Sequence, residues 1–198
     1  MSDFETETLK WTFTHGTGIQ IVGDEKFVLR VCSAWLDIGL TDTGRLLFDN
    51  ISKSKKKVII AKQSDRPSLT NTTPRRHSPD AILRGKRWES WEAQGNGRDS
   101  DSQILINFDF ALPNEAWFRN CPDGIILAHE ILHARLFAYG EYDPDIQNRI
   151  LNGRMHYRVP NGELQVIGLP PFEDLSFTEN QIRSEWTPCQ LRVWPEMN

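Results

Sequence analysis

No apolar run in this 198-residue chain approaches the length needed to span a bilayer, and its first residues, MSDFETETLKW, are polar and acidic rather than basic and then apolar. Neither membrane insertion nor a secretory leader is therefore expected, and the chain reads as cytosolic. Cysteine is scarce: Cys32, Cys121 and Cys189 are odd in number and far apart, which argues against a disulfide framework and against a cysteine-built zinc site. They read as reduced, partly buried thiols. Histidine numbers only five, so a chance pairing of two of them at a functional spacing is rare. What is present is ordinary for a globular protein: 38% hydrophobic and 25% charged residues, in a length that suits one domain with a substantial core.

The net charge of −4 hides an uneven distribution. Lys53 to Arg87 holds eleven Lys and Arg against two Asp, a surplus of nine that leaves −13 for the rest of the chain. Such a block could track nucleic acid or hold an acidic partner. Its richness in Ser, Thr, Asn and Pro, with few aromatics, favours a solvated loop over a nucleic-acid surface.

The most informative stretch is Ile125 to Gly140, IILAHEILHARLFAYG. Pro122 suits a first helical position, Asp123 complements a helix N-terminus and Gly140 suits a left-handed stop, while Ile125, Ala128, Leu132 and Leu136 recur at helical spacing. The spacing predicts one helix with His129, Glu130 and His133 in an HExxH pattern. Histidines four apart stack on one helix face, so both imidazoles can reach a single metal ion. Glu130, one residue round, stands where a general base acting on water would stand.

Around that helix the chain reads as scaffold. Residues 1–18 are weakly patterned and end in a turn, His15 to Gly18, before a short strand, Ile19 to Val22. Asp24 caps an amphipathic helix with Phe27, Val31, Ala34, Trp35 and Ile38 inward, closed by Gly39. A second helix, capped at Thr41 or Asp42, turns Leu46, Leu47 and Ile51 inward. Lys57 to Lys62 and Ser102 to Asp109 read as strands. Either could be an edge strand that aligns an extended peptide through main-chain hydrogen bonds. Between them, residues 63–98 read as a long irregular insertion, docked in part through Trp88 and Trp91, with a tip that could serve as a substrate lid or partner surface. Glu141 to Pro160 is polar, with turn signals at Asn152-Gly153 and Pro160 to Gly162. A short helix over Glu163 to Leu169 and a last one from Thr178 to Glu185 complete the series.

A catalytic zinc takes three protein ligands and keeps one position open. The pattern with a third histidine downstream on the same helix needs Gly at 136 and His at 139, where this chain has Leu136 and Tyr139. The third ligand must come from a later segment. Glu163 stands first because Val166 and Ile167 would pack its helix inward; Glu179, His156, Asp143 and Asp145 remain as alternatives.

The chain resembles the effector-type HExxH zinc metallopeptidases, the family of the type III effector protease NleD. The resemblance runs through FVLRVCSAWLDIGLTDTGRLLFDNI (27–51), SDSQILINF (100–108), ILAHEILHA (126–134), GELQVIGL (162–169) and TENQIRSE (178–185). It implies zinc on His129, His133 and Glu163, with catalysis by Glu130. Glu179, Asn180 and Arg183 match a late TEN-x-x-R motif. Glu179 could orient a zinc-bound histidine or hold Arg183, and Arg183 could stabilise a developing oxyanion or form an ion pair tying the last helix to the core. The chain departs from the family twice. Gly162 stands where a Glu often precedes Glu163, and Trp194 stands where a terminal Tyr is common, leaving Tyr139, Tyr142 and Tyr157 as possible phenolic donors.

The expectation is an α+β, single zincin-like domain with a small sheet and an HExxH active-site helix. It would act on a protein or peptide, without membrane or nucleic acid, and the resemblance implies delivery into a host cell. Two other readings stay open: a metalloenzyme acting on a small molecule, and a non-catalytic interaction protein that uses its basic insertion.

Overall fold

The computed structural model describes residues 11–15, 18–62, 71–75, 99–108, 123–151, 155–186, 189 and 191–192, with backbone alone for 11–15, 71–75, 147–151 and 155–158. Seven strands and five helices are described: β1 (Trp11–His15), β2 (Ile19–Gly23), α1 (Glu25–Gly39), α2 (Asp42–Ser54), β3 (Val58–Lys62), β4 (Asn71–Arg75), β5 (Asp101–Ile106), α3 (Asp123–Tyr139), β6 (Ile146–Leu151), β7 (Met155–Pro160), α4 (Asn161–Ile167) and α5 (Glu179–Glu185). The architecture is α+β, as expected. The expectations placed on Pro122, Cys121, Trp88, Trp91, Trp194, the Asn152-Gly153 turn and most of the basic insertion lie outside the described residues.

Five strands form a mixed sheet in the order β1-β2-β3-β5-β4. β2, β3 and β5 run parallel, and β1 and β4 close the two ends antiparallel. Ile19 and Ile21, Val58 and Ile60, and Ile104 and Ile106 are buried while their neighbours are not, the period-two signature of a sheet covered on one face. The covering elements are α1 and α3.

Several expectations give way here. β3 and β5 each pair on both sides, so neither is an edge strand. β4, inside the segment read as irregular, is the end strand of the sheet among the described residues, the position in a sheet that tolerates a residue such as Pro74 with no N–H to donate. His15, read as a turn residue, ends β1 in register with Ile19. The polar stretch from Glu141 to Pro160 contains the antiparallel pair β6-β7. Leu46, read as inward, is 60% exposed, whereas Leu47 and Ile51 are fully buried. Gly39 is the last helical residue of α1, and the cap is Leu40 in a right-handed conformation.

α3 differs most from its sequence reading. A single apolar stripe was expected, but Ile125, Leu127, Ala128, Ile131, Leu132, Ala134, Leu136 and Phe137 are all buried, so the helix is enclosed on every side. It packs on α1, α2, α4, α5 and the sheet. Its N-terminus is held by Arg30 of α1, whose Nε and Nη2 donate to the Asp123 carboxylate at 2.5 and 3.1 Å. At its C-terminus Gly140 adopts φ +66°, the left-handed stop expected of it. Tyr139 Oη donates to the Asn50 carbonyl of α2 at 2.7 Å. α5 is locked in turn to α2: Glu185 accepts from the Asp42 and Thr43 N–H groups, filling the role of an acidic cap at that helix start.

The tightest approach lies where α1, α3 and Trp186 meet. A Cβ at Gly124 would stand 2.5 Å from Trp186 Cη2 and 3.1 Å from the Ala34 carbonyl. Gly124→Ala is expected to cost about 1–3 kcal/mol by overpacking. Gly39→Ala, whose nearest neighbour would be Phe48 at 3.9 Å, is expected to gain about 0.4–1 kcal/mol. Urea unfolding midpoints of the two variants should therefore move in opposite directions.

Candidate metal centre

His129 and His133 project from α3 with ring centroids 4.9 Å apart and planes at 79°. Their Nε2 atoms lie 3.2 Å from each other. From α4, Glu163 brings Oε1 to 3.0 Å from His133 Nε2 and Oε2 to 3.5 Å from His129 Nε2. A tetrahedral ion with bonds of about 2.0–2.1 Å holds its donors roughly 3.3–3.4 Å apart, so these three side chains match the spacing such an ion requires. Among the described residues they are the one group of His, Cys, Asp and Glu side chains that could hold a metal ion. Glu163 is the most exposed of the three, with 31% of its side chain accessible against 14% for His129 and 6% for His133.

Behind His129 stands a buried charge network. Glu179, with 1% of its side chain exposed, accepts from His129 Nδ1 at 2.8 Å through Oε2. That bond leaves His129 Nε2 as the atom with a lone pair for a ligand. Glu179 Oε1 takes Arg183 Nε at 2.5 Å, and Oε2 also takes Arg192 Nη1 at 2.9 Å. Asn180 places Arg192 by a two-way bond to its main chain: Nδ2 donates to the Arg192 carbonyl at 2.8 Å and Oδ1 accepts from its N–H at 2.7 Å. α5, which carries Glu179 and Asn180, starts with a complete capping box between Thr178 and Gln181.

Burial alone would disfavour charge on all these groups, and their mutual contacts overcome it. For His129 burial works against the cation, but hydrogen bonds to Glu163 and Glu179 lift its pKa from 6.5 to about 10. For Glu163 burial raises the carboxyl, and His133 and His129 hold it well below the usual range. Glu179 is likewise desolvated, and Arg192, His129 and Arg183 pull it far down. The metal-free chain thus carries an imidazolium between two carboxylates, a position that a divalent cation would fill by expelling the proton.

The structure therefore brings His129, His133 and Glu163 together, and sets Glu179 behind them rather than among them. Glu130 is buried, with 5% exposure, on the same helix. The Arg183 side chain is wholly buried and pairs with Glu179 one turn earlier on the same helix, the holding of Arg183 by Glu179 that the sequence reading named, rather than an ion pair from α5 to another element. Asp143 and Asp145 are not in the metal-capable group, and the His156 side chain is not described. Tyr139 is engaged by Asn50 of α2. Tyr142 is the described tyrosine beside the site, its ring 6.2 Å from His133, while the Tyr157 side chain is not described. Arg192 was missed, because no local pattern marks an arginine placed by an asparagine twelve residues earlier. The Gly162 departure also has a physical reason: a Cβ there would lie 2.0 Å from Tyr142 Cε2, so the tyrosine ring occupies the space of a side chain at 162.

The model of the Peptidase_M91 family, described as "Effector protein", matches residues 15–190. The chain belongs to this family. No curated protein matches it. Among solved structures it is similar to the Clostridium botulinum neurotoxin serotype F light chain, with a TM-score of 0.51 and 11% identity over 72% of this chain. The match covers 44% of that light chain, so this member of the peptidase family spans less than half the neighbour's length, and the likeness is one of fold.

Two measurements bear on the site. Glu179→Gln is expected to weaken binding of a divalent metal ion by about 10–100-fold in competition with a chromophoric chelator, the size of effect carried by partners of metal-binding histidines. With the His129 pKa raised to about 10, uptake of a divalent metal ion at pH 8 should release about one proton that an unshifted histidine would already have lost. Calorimetric titration in buffers of different ionisation enthalpy reads this number directly.

Proposed function

We propose that this protein is a zinc-dependent endopeptidase with His129, His133 and Glu163 as metal ligands and Glu130 as general base. The observation that carries the reading is the 3.0–3.5 Å triangle of imidazole nitrogens and carboxylate oxygens, with Glu179 fixing the ring orientation of His129. Zinc, when bound, supplies a Lewis acid that lowers the pKa of a water molecule to about 7 and polarises the scissile carbonyl.

This chain's residues supply the rest. Glu130 accepts a proton from the attacking water as its oxygen bonds to the peptide carbon. As the C–N bond breaks, Glu130 returns the proton to the leaving nitrogen, so water is divided between the two products. Arg183 and Arg192 act through Glu179, keeping it ionised and aligned on His129. The absence of exposed surface on the Arg183 side chain supports this role over a direct one on a substrate.

An extended polypeptide suits the site because β4, the end strand of the sheet among the described residues, packs beside α3. Main-chain groups on an end strand can align a substrate strand. The description of its family as effectors makes a host-cell protein the substrate we propose, reached by delivery rather than by membrane insertion; no described helix is long and apolar enough to cross a membrane.

Glu130→Gln is expected to keep stoichiometric zinc and to lose at least about 100-fold in kcat. Cleavage profiling on a peptide library, with zinc removed by chelation and then restored, provides the measurement. Cleavage that survives chelation, or wild-type turnover in the glutamine variant, would overturn the mechanism.

A further inference from the structure

α4, the helix that carries Glu163, is only seven residues long and has no side-chain cap, since its N-cap is Pro160. Two turns do not hold themselves in place, and the first N–H groups of a helix need outside acceptors. Both acceptors come from the segment that follows α3. The Asp145 carbonyl accepts from Asn161 N–H at 2.7 Å, and the Asp143 carbonyl accepts from Gly162 N–H at 2.8 Å.

Side chains reinforce this strap from both directions. Asp143 Oδ2 accepts from Asn161 Nδ2 at 2.7 Å, while its Oδ1 accepts from Asp145 N–H at 2.9 Å and shapes the strap itself. Gln165, buried on α4, accepts from Asp143 N–H and donates to the Glu141 carbonyl, each at 3.0 Å. Tyr142 fills the gap between the two helices, its ring 4.8 Å from that of Phe137 on α3 and pressed on Gly162 of α4. Asp143 thus participates in four of these bonds yet touches none of the three residues at the metal centre.

We propose that Asp143 is a positioning residue: by clamping the 141–145 strap to the start of α4, it sets the distance of the Glu163 carboxylate from the two imidazoles, and with it metal affinity. The inference rests on the metal-centre reading above and deepens it. Asp143 acts through hydrogen-bond geometry, not through its charge. An asparagine in its place would keep one acceptor for the Asp145 N–H, and Asn161 could turn its amide so that Oδ1 receives the new NH2 group.

The test compares Asp143→Ala, Asp143→Asn and Asp145→Ala with the unsubstituted chain, reading the zinc dissociation constant by chelator competition and the visible absorption of the cobalt(II)-loaded protein. Asp143→Ala should weaken zinc binding by roughly 10–100-fold and reduce the cobalt band intensity as the third ligand is displaced. Asp143→Asn should stay within about threefold of the parent, as should Asp145→Ala, whose side chain takes no part in the clamp. If Asp143→Ala does not fold, Asn161→Ala removes the same side-chain bond from the other end and should weaken binding in the same direction. Parental affinity and spectrum in the alanine variants at 143 or 161 overturn the positioning role while leaving the metal centre intact. Equal losses in the alanine and asparagine variants at 143 overturn it in favour of charge. An unsubstituted chain that binds no zinc removes both this proposal and the metal reading.

Discussion

A carboxylate with almost no exposed surface must be paired, and Glu179 is paired three ways, with His129, Arg183 and Arg192. That constraint organises the interior of this protein. It orients one imidazole of the HExxH helix, pairs with two buried arginines, and anchors α5 against α3. Because Glu185 at the far end of α5 also serves the start of α2, the charge network reaches the helical scaffold as well as the metal centre.

α3 is the axis on which these contacts converge. An enclosed helix can offer its histidines a fixed geometry because neither its backbone nor its neighbours have room to adjust. The cost is that the structure around it depends at three points on the absence of a side chain: Gly124 beneath Trp186, Gly140 at its end, and Gly162 of α4 beneath Tyr142. Glu163 comes from a helix too short to place itself, held by the strap and by the buried Leu164, Val166 and Ile167.

Legibility in the sequence followed the range of the interaction involved. The HExxH helix, the caps at Asp24, Thr41 and Thr178, and the left-handed glycine at 140 are written within a few residues, and each is found where local rules put it. Glu163 was legible because apolar residues three and four positions later had to face inward. β1, β4 and the β6-β7 pair were not, since short strands of Thr, Pro and charged residues receive their identity from a partner strand distant in sequence. Arg192 and the roles of Asp143 and Gln165 were hidden for the same reason: each depends on a group that only the folded chain brings near. The enclosure of α3 was hidden because an apolar stripe can be read from one helix alone, whereas the number of neighbours around it cannot.

Tyr142 and Gly162 occupy one volume between them. The two positions are therefore coupled in this chain: any side chain at 162 would have to displace the aromatic wall beside His133, and the opening left there would let solvent approach the imidazole from that side.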